Sequence, residues 1–229
     1  MRTLGTLAGL AVLAVMATPA GAVIIDHFDQ GTSFNLTTWG LPLSPPPVTT
    51  ATWTESGLTN VLGGTRNVDL TWMGGDNGGH NHLDFQAVNS YVNLDDDVTL
   101  VARLKLSYAF SATDFTDGGT SNSVLVRFLA SDLGSTTKVT LTDSLAGTGS
   151  LTVLTPSGPS DEIFLFSLFS GSLDFTKITS VVYQIDTVPS GDYRIDLLGS
   201  GYVPEPVTMA GLVLGIGGLV GYARRRVRA

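Results

Sequence analysis

Alternation with a period of two dominates the middle of the chain. In Val98–Phe110, residues Val98, Leu100, Ala102, Leu104, Leu106 and Tyr108 share one parity. Thr99, Arg103, Lys105 and Ser107 share the other, with Val101 the exception. Successive side chains of an extended strand point to opposite faces, so this pattern predicts a long strand with one face buried. The alternation recurs in Ser123–Ser131 (Val124, Val126, Phe128, Ala130), in Ile178–Asp186 (Val181, Tyr183, Ile185) and in Asp192–Leu198 (Tyr193, Ile195, Leu197). Lys138–Asp143 and Ser150–Thr155 flank the glycine-bearing turn Ala146–Gly149 and predict a hairpin. A further strand is predicted over Glu162–Leu168, after the turn "PSGPSD". The first half offers shorter candidates in "VIIDHF", "LTNVL", "RNVDLTW" and "HLDFQAV". The stretch "LPLSPPPVTTATW" is too rich in proline for a central strand and is predicted as a long loop. About ten to twelve short strands, spaced by regular turn signals and without an amphipathic helix, predict an all-β domain, either a sandwich or a barrel.

The two ends follow different patterns. Arg2 precedes the apolar run Leu4–Ala17, and Ala20 and Ala22 fit the small-x-small rule for cleavage, so residues 1–22 read as a secretory signal peptide cut after Ala22 by signal peptidase. At the other end, Val207–Ala223 is an apolar run of 17 residues with five glycines. As a helix it reaches about 25 Å, somewhat under a hydrocarbon core of about 30 Å. Arg224, Arg225, Arg226 and Arg228 follow at once. An arginine cluster stays in the cytoplasm, which leaves the body of the chain outside. Between the ends, residues 23–202 suit one domain with a single core.

Charge narrows the partners. Residues 23–202 hold seven Lys/Arg and nineteen Asp/Glu, so 7 − 19 = −12. An acidic body repels polyanions, which argues against nucleic acid as a partner. The chain contains no cysteine, which removes thiol catalysis, cysteine metal sites and disulfides.

The candidate chemistry is sparse. His80 and His82 lie two apart near Asp76, a spacing that aims both imidazoles the same way on a strand and suits a metal. The surrounding glycines suit a tight polar turn equally well. Asp95, Asp96 and Asp97 offer oxygen ligands without EF-hand spacing, or a solvated turn. Asp26, Asp29 and Asp196 lie near the two ends of the domain, which often meet in space, and form a candidate structural calcium site. No other cofactor is indicated. Trp39 and Trp53 flank the proline-rich loop and are candidates for stacking on sugar rings. No G-x-S-x-G, H-E-x-x-H or phosphate-binding glycine loop is present, and no carboxylate pair stands out, so no enzymatic activity is expected.

Pro204-Glu205-Pro206 precedes the apolar run, and prolines on both sides hold the glutamate extended. The succession Pro-Glu-Pro, apolar helix, arginine cluster over residues 203–229 resembles the PEP-CTERM sorting signal of Gram-negative bacteria. The resemblance implies recognition of Pro204, Glu205 and Pro206 by an exosortase and transient residence in the inner membrane. It further implies removal of the helix and export to the cell surface or extracellular matrix, alongside exopolysaccharide. In the body, "NVLGGTRNVDL", "FLASDLGSTTKVTLTD" and "IFLFSLFSGSLDFTKITSVVYQID" are similar to a recurrent ectodomain of such proteins, and the last of them resembles a passage of jelly-roll carbohydrate-binding modules of the galactose-binding-like kind. That likeness implies a jelly roll and transfers no binding residue. Two functions follow as expectations: a structural or adhesive component of the envelope or matrix, and a module that binds the cell's own polysaccharide.

Overall fold

A computed structural model describes residues 22–31, 33–39, 49–75, 80–88, 91–96 and 100–201, with side chains except at 33–39, 49, 80–84, 88 and 95–96. The cleavage residue Ala20, the sorting residues 204–206 and the arginines 224–228 lie outside the described residues. Thirteen strands are present among the described residues: β1 (Ile24–Asp26), β2 (Ser33–Trp39), β3 (Thr49–Ser56), β4 (Thr65–Gly74), β5 (His80–Val88), β6 (Tyr91–Asp96), β7 (Val101–Thr113), β8 (Ser123–Ser131), β9 (Ser135–Asp143), β10 (Thr148–Thr155), β11 (Ser160–Leu165), β12 (Ile178–Asp186) and β13 (Tyr193–Gly201). No helix among them is long and apolar enough to cross a membrane.

The strands form two antiparallel sheets. Sheet A runs β11-β8-β13-β6-β5-β2, and β1 pairs with the far half of β13. Sheet B runs β10-β9-β12-β7-β4-β3. The last eight strands, β6 to β13, place β11-β8-β13-β6 against β10-β9-β12-β7, which is the strand order of a jelly roll. The earlier strands widen both sheets: β5 and β2 beyond β6, β4 and β3 beyond β7.

The core lies where the apolar parities of the two sheets meet. Ala102, Leu104, Leu106 and Tyr108 of β7 are buried, as the alternation predicts, and so are Val124, Val126 and Phe128 of β8 and Val181, Tyr183 and Ile185 of β12. Each such side chain, if fully buried, contributes about 1.5–3 kcal/mol relative to exposure. Some predicted boundaries move. Ala130 is exposed, because β13 shifts register against β8 just beside it. The strand predicted over Glu162–Leu168 ends at Leu165 and gives way to a single 3-10 turn, Phe166–Leu168. "LTNVL" forms only an isolated bridge, Val61 to Asp26. The proline-rich loop ends sooner than predicted, since β3 begins at Thr49 and pairs residue for residue with β4.

Two polar clusters sit inside this core. The first ties the N-terminal segment to sheet B. Arg66 of β4 is completely buried. Its Nε donates to Glu55 Oε2 at 2.7 Å, its Nη1 to Asp26 Oδ2 at 2.7 Å and its Nη2 to the Gln30 carbonyl at 2.8 Å. Asp26 also accepts from the Tyr108 hydroxyl at 2.9 Å and from the Phe28 amide at 2.7 Å. The guanidinium lies 5.6 Å from the centre of the Phe28 ring. Gly31 (φ 147°) closes the cluster, because a Cβ there would strike Arg66 Nη2 and the Ala87 carbonyl.

The second cluster lies between the edges formed by β10 and β11. Glu162 is buried, and its Oε2 accepts from Thr137 Oγ1 at 2.6 Å. Its Oε1, the Tyr183 hydroxyl and the Ser135 and Ser160 hydroxyls find no hydrogen-bond partner among the described residues. Burial raises the Glu162 pKa above the ordinary glutamate value, and the bond from Thr137 opposes the rise.

Candidate functional site on the outer face of sheet B

The polar parity of sheet B falls into rows, because its six strands pair in register. One row runs Thr52, Asp69, Lys105, Gln184, Lys138, Thr152. On one side lies Thr50, Thr71, Arg103, Asp186, Thr136, Leu154, and on the other Thr54, Asn67, Ser107, Val182, Thr140, Ser150. All are exposed or half-buried, while the opposite parity of the same strands is mostly buried. Strand spacing puts neighbours in a row about 4.8 Å apart.

Hydrogen bonds and ion pairs order this plane. Asp186 receives Arg103 through both oxygens, Nε to Oδ1 and Nη2 to Oδ2, each at 2.7 Å, and also accepts from Gln184 Nε2 at 3.0 Å. The carboxylate raises the Arg103 pKa. Lys105 Nζ donates to Asp69 at 3.1 Å. The Thr50 and Thr71 hydroxyls lie 3.0 Å apart, and Thr54 donates to Asn67 at 2.7 Å. The three rows carry hydroxyls, amides and charges with no aromatic ring among them. Chemically, the plane can exchange hydrogen bonds with a flat polar ligand along its length.

The residues singled out in the sequence lie elsewhere. Trp53 shares the inward parity with Glu55. Its ring meets Phe85 edge-on with centroids 5.2 Å apart and packs against the core. The side chain is half-buried and faces inward, in place of the open position beside the proline-rich loop that the sugar-stacking expectation assumed. Trp39 ends β2 opposite His80, and its side chain lies outside the described residues. His80 and His82 fall on β5, Asp95 and Asp96 on β6. None of these four side chains is described, and Asp76 and Asp97 lie outside the described residues.

The candidate calcium trio does not form. Asp26 is occupied by Arg66, Tyr108 and the Phe28 amide, so a guanidinium supplies the positive charge that an ion would bring. Asp29 is exposed and accepts from Asn60. Asp196 sits in a bulge of β13, where the register jumps from Ile195↔Phe128 to Leu197↔Arg127. Its Oδ1 has no partner among the described residues, and burial raises its pKa. No group of three His, Asp or Glu able to hold a metal occurs among the described residues. An open depression of about 440 Å³ is lined by Ile24, His27, Thr59, Asn60, Val61, Leu62 and Gly63, and His27 is its one titratable side chain.

The sequence marks Arg103, Lys105 and Ser107 as the polar side of one strand and carries no further sign of the plane. The signal was the alternation itself. What it lacked was the knowledge of which strands lie side by side.

No family model matches the chain, and no curated protein matches it. Among solved structures, it is similar to the family 11 carbohydrate-binding module of the cellulosomal cellulase Lic26A-Cel5E of Clostridium thermocellum. That likeness has 12% identity and a TM-score of 0.39, over 80% of this chain and 95% of that one. It is also similar to PfGH50B (11% identity, TM-score 0.39), over 54% of this chain and only 22% of that longer one. A third is TmCBM61 in complex with β-1,4-galactotriose, with 10% identity and a TM-score of 0.30 over 67% of this chain and 88% of that one.

Proposed function

We propose that the chain is an exported, surface-sorted adhesive module, without catalytic activity, that holds the cell's own polysaccharide against the outer face of sheet B. The observation that carries the reading is the plane of three aligned rows across six strands. Hydroxyl, amide and charged groups there offer donors and acceptors at regular spacing to a polymer rich in hydroxyls. One such hydrogen bond contributes only about 0.5–1.5 kcal/mol net. Many in register favour an extended chain over a small ligand.

The test is co-sedimentation of the purified protein with insoluble polysaccharides, together with a glycan array. Retention is expected for the wild type. It is expected to be lost in Gln184→Tyr, which raises a ring at the centre of the plane, while the melting temperature stays unchanged. An array on which no polysaccharide retains the wild type removes the reading.

The sorting half of the proposal rests on residues 203–229 of the sequence. Signal peptidase would release the chain at Ala22 and an exosortase would process it near Pro204-Glu205-Pro206, leaving the mature protein outside the cell. In a host that carries an exosortase, mass spectrometry is expected to find a mature chain that starts at Val23 and lacks Arg224–Arg228. Glu205→Ala is expected to accumulate in the membrane with its arginines intact. A wild-type chain that keeps its arginines, or normal release of Glu205→Ala, would contradict exosortase sorting.

A further inference from the structure

Resting on the polysaccharide reading of sheet B, we infer that the polymer held there is acidic, with carboxylates of its sugars seated on Lys105 and Lys138 on either side of Gln184. The charge distribution carries the inference. Over residues 23–202 the balance is −12, yet the three rows hold Arg103, Lys105 and Lys138 against Asp69 and Asp186, so 3 − 2 = +1. Three of the seven basic residues of the body therefore share one plane with only two of its nineteen acids. At physiological ionic strength the Debye length is about 8 Å, so a ligand carboxylate responds first to the charges it touches and much less to distant acidic turns.

Lys138 is the focus. It stands in mid-strand on β9, between Gln184 of β12 and Thr152 of β10. Among the described residues it makes no ion pair. Asp186, which pairs with its neighbour Thr136, is taken by both arms of Arg103 and by Gln184. Lys105 is paired with Asp69, but that bridge is half exposed and such pairs are worth about 0–1 kcal/mol, so its ammonium can be shared with a ligand. Lys105 and Lys138 lie two strands apart in one row, roughly 10 Å by strand spacing. That is the scale of one disaccharide. A chain laid along the row with an acid on alternate sugars sets a carboxylate over each lysine and a hydroxyl over the Gln184 amide.

The experiment compares polygalacturonate with the same polymer fully methyl-esterified, by affinity electrophoresis of the intact mature protein. The acidic polymer is expected to retard the protein, and the ester to do so at least about tenfold more weakly, a difference near 1.4 kcal/mol. Lys138→Glu is expected to lose about tenfold in affinity for the acidic polymer. Lys177→Glu, in the turn before β12, is expected to bind as the wild type does. Unchanged melting of both variants keeps the comparison interpretable. Equal binding of acid and ester overturns the acidic assignment and leaves a neutral polysaccharide on sheet B in place, and full binding by Lys138→Glu overturns the seating of the acid on the lysine row. Retention only of neutral glycans, lost in Gln184→Tyr, has the same meaning. Equal retention by single-stranded DNA, with the same loss in Lys138→Glu, overturns sugar recognition in favour of bare charge. Failure to retain any polysaccharide removes both readings together.

Discussion

Arg66→Met is expected to destabilise the protein by about 3–5 kcal/mol, the cost of removing one partner from a buried ion cluster. In a domain of this size that lowers the melting temperature by roughly 10 °C. The reason is what stays behind. Asp26 and Glu55 remain buried, and the guanidinium that faced both, at 2.7 Å from each, is gone. The Gln30 carbonyl also loses its donor. The segment from Ile25 to Gly31 then keeps the pairing of β1 with β13, the Ile25 carbonyl to Leu62 amide bond, the packing of Phe28 and the exposed bonds of Gln30 to Thr59, and loses its buried polar anchor. Replacing Asp26 and Glu55 by apolar residues in the same chain is expected to recover part of the loss. Full recovery is not expected, because the Tyr108 hydroxyl and the Phe28 amide would lose their acceptor. Urea unfolding of the single and triple variants measures both steps. A single-variant cost within about 0.5 kcal/mol of zero, the usual range for surface changes, would show that the cluster does not hold the segment.

Glu162→Gln is expected to act in the opposite direction and to stabilise the protein at pH 8 by about 1–3 kcal/mol, the scale of an unsatisfied buried polar group. In the folded protein burial raises the Glu162 pKa, so the folded state binds this proton more tightly than the unfolded chain does. The contribution of Glu162 to stability is therefore fully present below the unfolded value, near 4.5, and is lost as pH rises through the higher folded value. Glutamine carries no charge at any pH and can still accept from Thr137. Its amide also brings donors towards the unpartnered Tyr183 hydroxyl. The gain should shrink as pH falls to about 4.5 and below, where the wild-type group is itself neutral. Melting curves of both proteins from pH 4 to pH 9 would decide it. Parallel curves with no pH-dependent gap would mean that Glu162 titrates as an exposed residue.

Both clusters show where reading the chain alone falls short. Arg66 and Glu162 look like ordinary charged residues on strands, and nothing adjacent to them in sequence signals burial. Arg66 meets Asp26 across forty positions, and Glu162 meets Thr137 across twenty-five. In the folded strand Arg66 shares its inward face with Val68 and Leu70. A buried charge becomes intelligible only once its partners are known. The same holds for Trp53, which a proline-rich neighbourhood suggested was exposed and which pairing of β3 with β4 turns inward onto Phe85.

The candidate site divides in the same way. The polar parity of β7 and the apolar parity of β12 were visible as alternation, and the hairpin of β9 and β10 was visible from its turn. The row that joins Lys105 to Lys138 was not, since β7 and β9 are neighbours only through β12, which follows both in sequence. By itself the sequence determined that this is an all-β domain with one core, and which face of β7, β8 and β12 is buried. These are local properties, set by period and composition. Tertiary structure alone decided the order of strands in each sheet, the burial of Arg66 and Glu162, the loss of Asp26 as an ion ligand, and the alignment of scattered threonines and lysines into a plane. These depend on long-range register, and backbone pairing fixes register between residues that no local pattern connects.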